Sequence, residues 1–287
     1  MSFIKITDKL IEFSTAAHAS TFDSFDWPET IDEDQYWFSP NALSIAGTEF
    51  EGELSEQQKI KLSKWECINS FSMNTVGERE LIHSVTGIMD EMPLGEAKEY
   101  LYHLINEENQ HMWYFQKFCT LYAGKVYGSK SMPTEAKKIS RSLDHFMVFA
   151  RILLFEEIGH YYNIINSKDE QVHTFVREIN QAHYNDEARH ITYGRRLLSV
   201  LAKEALHTEE DVEYANAELA KTLIVNYNAL FNPSMYRDAG LARPMSIRSK
   251  LIESSERQSI YKNKMLKSVT RAFDACGISL AFPGGNS

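Results

Sequence analysis

The sequence predicts an all-α protein whose core is a bundle of four long helices, with additions at both ends. Helical spacing of apolar residues persists over long stretches between about residues 55 and 206, almost nothing alternates as a strand does, and helix-capping residues punctuate the chain. No motif recurs every 20 to 50 residues, which sets aside solenoids and propellers.

The elements follow in order. Residues 1 to about 53 mix aromatic and acidic residues with Pro28 and Pro40 and hold no lasting period, so they read as an irregular arm. Its aromatics, Phe22, Phe25, Trp27, Tyr36, Trp37 and Phe38, are expected to pack onto the rest. Ser55 and Gln58 fit a capping box, and the first long helix runs from there to the Pro93-Leu-Gly turn. A second helix starts after Gly95 and stops near Gly124, where a C-terminal glycine is expected. A third begins near Pro133, suited to a first helical turn, and continues to about Ile165. After the polar break NSKDE a fourth covers about 170 to 206. Thr208 and Asp211 cap a fifth that runs to about Leu230, and at least one more helix lies between 245 and 277. The whole chain is expected to be one domain: arm 1–53, bundle about 55–206, accessory helices about 208–277.

Composition narrows the function. A formal charge of -10 and a pI near 5.5 leave no basic footprint for nucleic acid or an anionic membrane. The most apolar run, FMVFARILLF, is interrupted by Arg151 and too short to span a bilayer. The opening MSFIKITDKL lacks the pattern of a signal peptide, so a cytoplasmic location is expected. Cys67, Cys119 and Cys276 are far apart, which disfavours a disulfide framework or a thiolate zinc site. Any bound metal must use nitrogen and oxygen donors.

Six Glu-x-x-His pairs occur, where about one is expected by chance. On a helix the two residues of such a pair are surface neighbours and can share an ion. Context separates the pairs. Glu80/His83 and Glu204/His207 lie on polar faces, and Glu170/His173 stands where a helix starts, a place that favours acids. Glu108, in EENQH, shares its face with Leu101, Leu104, Ile105, Met112 and Phe115, and Glu187, in DEARH, with Val176, Ile179, Tyr184 and Gly194. A buried unpaired carboxylate is costly, and metal coordination is one way to keep it ionised. Glu157/His160 sits in the apolar run FARILLFEEIGHYY, where two adjacent acids also need a reason. Upstream, Glu78 precedes Glu108 by 30 residues and Glu156 precedes Glu187 by 31. One Glu followed by acid-Glu-x-x-His, twice over, is the di-iron carboxylate bundle pattern.

With these motifs the stretch 65–195 resembles the p-aminobenzoate N-oxygenases, ferritin-like di-iron proteins that add a histidine four residues before the second Glu-x-x-His glutamate. His183 stands at that position. The resemblance implies a ferritin-like four-helix core and a ligand set of Glu78, Glu108, His111, Glu156, His183, Glu187 and His190. Glu157 is the alternative to Glu156: it lies 79 residues after Glu78, the offset that also relates Glu108 to Glu187, whereas the family's spacing to His183 prefers Glu156. Two iron ions are implied, with iron–manganese or manganese fitting the same donors, and O2 as co-substrate. The activity implied is O2-dependent oxygenation of a small amine, in the family often an aryl amine, fed by an electron donor. Tyr114, Phe115, Phe149, Phe155 and Tyr184 either line an aromatic pocket or fill the core. Asp186 and Glu107, adjacent to ligand glutamates but turned about 100° away, are expected to serve ligands on a neighbouring helix, with pairing to Arg151 or Arg189 equally open. A homodimer is the default. The competing reading is a ferritin-like iron-handling ferroxidase, disfavoured by the arm and the C-terminal extension.

Overall fold

The computed structural model describes residues 2–17, 20, 22–128 and 139–283. Its helices are α1 (Phe3–Ala17), α2 (Glu49–Glu53), α3 (Glu56–Ile88), α4 (Glu99–Ala123), α5 (Arg141–Lys168), α6 (Thr174–Ala205), α7 (Glu209–Ala229), α8 (Pro233–Asp238), α9 (Pro244–Glu253), α10 (Ser255–Ile260) and α11 (Lys267–Asp274). Among the described residues the only extended pairing is the single bridge Tyr36–Val172.

Local chemistry sets the bounds of the four core helices. At α3 the Ser55 hydroxyl accepts from the Gln58 N–H while Gln58 accepts from the Ser55 N–H. Helix α4 ends on Gly124, whose φ of 67° lets its N–H reach the Thr120 carbonyl. Ser140 caps α5; the expected start at Pro133 lies outside the described residues. His173 itself caps α6, its Nδ1 accepting from the Phe175 N–H, while Glu170 is exposed. Thr208 and Asp211 form the box that opens α7.

Helices α3 and α4 pack as one hairpin, α5 and α6 as another, and the two join along α3–α5 and α4–α6. Helix α7 lies against α5, α8 against α3, and α11 against α5 and α6. The long elements thus form a ferritin-like helical fold around one buried cluster. Among the described residues no helix is long and apolar enough to cross a membrane.

One expectation fails: residues 3–17 of the supposed irregular arm are helical. Phe3, Ile6, Thr7, Leu10 and Ser14 fall on one face, three of them buried, and α1 packs on α4 and α6. It has no acidic residue in its first turn and no basic residue in its last turn to announce it. Glu49–Glu53 at its end is a short helix as well, and residues 22–48 between them are largely irregular but fixed. The Trp37 N–H donates to Ser63, the Ser39 N–H to Asn166, and the Ser44 N–H to Glu66. Its aromatics pack as expected: Phe25 and Trp27 stand edge-on to Phe175, and Trp37 to Phe118.

Candidate metal centre

Each of the four core helices presents acids or histidines to one point in the interior. Glu78 comes from α3, Glu108 and His111 from α4, Glu156 from α5, and His183, Glu187 and His190 from α6; all are buried. Helical spacing does this locally, since residues three or four apart stack on one face. His111 Nδ1 lies 3.2 Å from Glu108 Oε2 and 3.4 Å from Glu187 Oε1. His190 Nδ1 lies 3.0 Å from Glu108 Oε1 and 3.5 Å from Glu187 Oε1. His183 Nε2 lies 2.9 Å from Glu187 Oε1 and 3.5 Å from Glu78 Oε1. Two groups could each hold an ion, Glu108/His111/Glu187/His190 and Glu78/His111/His183, their donor atoms within 4.8 Å of one another.

The outward nitrogens are held across the bundle. His111 Nε2 lies 3.0 Å from Asp186 Oδ2, and His190 Nε2 lies 2.7 Å from Glu107 Oε2. Each acid beside a glutamate thus serves the histidine of the opposite helix. Arg189 bridges the two acids, 2.6 Å from Glu107 and 2.5 Å from Asp186. Both alternatives left open by the sequence hold at once for Arg189, whereas Arg151 pairs with Glu218.

Electrostatics divides the carboxyls. Burial, reinforced by neighbouring acids, pushes Glu78 and Glu156 well above the ordinary carboxylate range. Burial also opposes ionisation of Glu187, but His183, His190 and His111 outweigh it and hold the group low. Desolvation disfavours charge on His111 and His190 too, yet their carboxylate partners win and raise both. His111 and Arg189 likewise overcome burial at Asp186, which falls to about 2.

Glu157 turns away from this cluster. It forms an ion pair with Arg195, whose Nε is 2.9 Å from Oε1. His160 stacks on Tyr184 at 5.0 Å and belongs to neither donor group, although its Nδ1 is buried without a hydrogen-bond partner. The pairs Glu80/His83 and Glu204/His207 are exposed, as their polar faces imply.

The model of the P-aminobenzoate N-oxygenase AurF family matches residues 5–277, nearly the entire chain. The chain belongs to this family. N-oxygenase activity is what membership indicates, and the buried histidine–carboxylate cluster is compatible with the family's di-metal chemistry. No curated protein matches the chain.

Fit to a metal pair can be tested on orphaned atoms. Both oxygens of Glu78 and of Glu187, one each of Glu108 and Glu156, and His190 Nδ1 are buried without a hydrogen-bond partner. Polar atoms in such numbers are costly unless something binds them, and the donors are all nitrogen or oxygen. The cluster has a further neighbour that sequence reasoning missed: Asn163, whose Nδ2 stands 2.7 Å from His183 Nδ1. Rotating that amide puts its oxygen there to accept an Nδ1–H, which frees Nε2 of His183 to face the cluster. Asn163 is seven residues after Glu156, so the same helix stripe could have pointed to it.

Proposed function

We propose that the protein is a di-iron N-oxygenase that uses O2 to oxidise the nitrogen of a small aryl amine, with Glu78, Glu108, His111, Glu156, His183, Glu187 and His190 as ligands. The observation that carries the reading is the set of buried, partnerless donors converging from four helices. When bound by these side chains, two ferrous ions would supply two electrons for the reduction of O2, to be replaced by an external donor. The chain's own residues do the rest. Glu107 and Asp186 accept the outward N–H of His190 and His111, fixing ring orientation with Nδ1 inward. Arg189 keeps those two acids ionised and in place. Phe71, Leu104, Phe115 and Tyr114, all buried, exclude bulk water.

Anaerobic loading with ferrous iron tests the proposal, with expected uptake of about two ions per chain. Exposure to isotopically labelled O2 with 4-aminobenzoate is expected to give a product carrying label on nitrogen. Rapid deposition of ferric mineral without amine oxidation contradicts it and supports the iron-handling reading.

A further inference from the structure

Helix α1 buries Thr7, Leu10 and Ser14, and two of these three are polar. A hydroxyl on the buried face of a helix is costly unless it is hydrogen-bonded. Thr7 turns back on its own helix and donates to the Phe3 carbonyl at 3.1 Å. Ser14, about two turns further on, reaches across instead. Its Oγ accepts from Arg189 Nε, on α6, at 3.0 Å.

Arg189 is engaged through each of its nitrogens. Nη1 donates to the Asn185 carbonyl of its own helix at 3.1 Å, and Nη2 donates to Glu107 and Asp186. Those two acids hold the outward nitrogens of His190 and His111. A guanidinium is planar and rigid, so the direction taken by Nε–H governs where Nη2 points. Ser14 fixes that direction from outside the four core helices. Close packing does not do it. A polar cavity of about 190 Å³ lies at the end of α1, and Ser14, Glu107 and Asp186 all stand on its wall, with Thr15, His103 and Asn106 around them. Side chains beside open space keep one geometry only where hydrogen bonds lock them. At the other end of α1 the Phe3 ring meets Tyr193 of α6 at 5.5 Å, which holds the helix at the height that brings Ser14 to Arg189.

We propose that Ser14 is a positioning residue of the metal centre: by fixing the guanidinium of Arg189 it sets the two acids, and through them the imidazoles of His111 and His190. This rests on the di-iron reading and adds to it a task for the N-terminal helix, which lies outside the bundle that supplies the ligands.

The test uses cobalt(II), which takes the same nitrogen and oxygen donors and reports their arrangement through its visible absorption. Affinity is measured by competition with a chelator, and the spectrum is recorded on the same samples, for the native protein and for Ser14→Ala, Ser14→Thr and Thr7→Ala. Alanine is the better helix former, so Ser14→Ala removes the acceptor without weakening α1 itself. It is expected to bind cobalt about 5-fold more weakly, a smaller loss than that of an acid that touches the histidine, and with an altered spectrum. Ser14→Thr keeps the hydroxyl, has the cavity for its methyl group, and is expected to restore both. Thr7→Ala deletes a hydroxyl that bonds only within α1 and is expected to change neither. Native affinity and spectrum in Ser14→Ala, no recovery in Ser14→Thr, or an equal loss in Thr7→Ala overturns the proposal. Should Ser14→Ala fail to fold, the isosteric pair Ser14→Thr and Ser14→Val decides by the same comparison. If the native protein binds neither cobalt nor ferrous iron in stoichiometric amount, the di-iron reading fails; if it binds them and Ser14→Ala is silent, the positioning role fails alone.

Discussion

The hairpin α3–α4 and the hairpin α5–α6 each bring a glutamate on the first helix and an acid-Glu-x-x-His run on the second, yet they are not copies. Glu107, Glu108 and His111 are each 79 residues from Asp186, Glu187 and His190. At two places that correspondence breaks. Leu104, buried and apolar, stands where the second hairpin has His183. On α5 the residue in the cluster is Glu156, while Glu157, which the offset selects, is spent on Arg195. The repeat gives the cluster a common frame, and the departures make its two sides unequal: one gains an imidazole and Asn163 behind it, the other keeps a hydrocarbon.

The choice on α5 is the sharpest place to break the comparison. Glu156→Gln is expected to lower iron from about two to about one ion per chain or fewer, because a carboxylate donor is lost from a buried site. Glu157→Gln is expected to retain both ions and to cost about 1–2 kcal/mol of stability through the weakened Arg195 pair. Metal analysis and denaturant unfolding of both variants check this. Iron loss in Glu157→Gln with retention in Glu156→Gln reverses the assignment.

Next in size are the crossed outer partners. Asp186→Asn and Glu107→Gln each loosen the orientation of the opposite helix's histidine, and each is expected to weaken iron binding about 10–100-fold. Competition with a chelator measures it. Affinity unchanged in both variants removes the crossed pairs from the account.

A smaller effect is expected where the hairpins touch. A β-carbon on Gly77 would overlap the ring of Phe155, so only glycine lets α3 approach α5 at this level. Gly77→Ala is expected to cost about 1–3 kcal/mol as the ring is displaced, seen as a lower Tm. An unchanged Tm means that the ring moves freely.

Much of this was legible in the sequence because the signals are local. The Ser55 and Thr208 boxes and the Gly124 stop are set by atoms within one turn, and they appear where residue types put them. The apolar faces that carry Glu78, Glu108 and Glu187 follow from helix periodicity, whereas the full set with Glu156 and His183 came from the resemblance. Helix α1 was not legible: it has no acid in its first turn and no base in its last, and its stability comes from packing on α4 and α6, with Ser14 accepting from Arg189. Glu156 and Glu157 are adjacent, buried and chemically identical; residue type does not separate them, the family's spacing favours Glu156, and Arg195, 38 residues after Glu157, pairs with Glu157.

The central claim is a dinuclear centre whose two halves differ. A Mössbauer spectrum of the protein loaded anaerobically with ferrous iron tests it most directly. Two quadrupole doublets of about equal area, from about two ions per chain, are the expected result. A single doublet, or no stoichiometric iron at all, contradicts it.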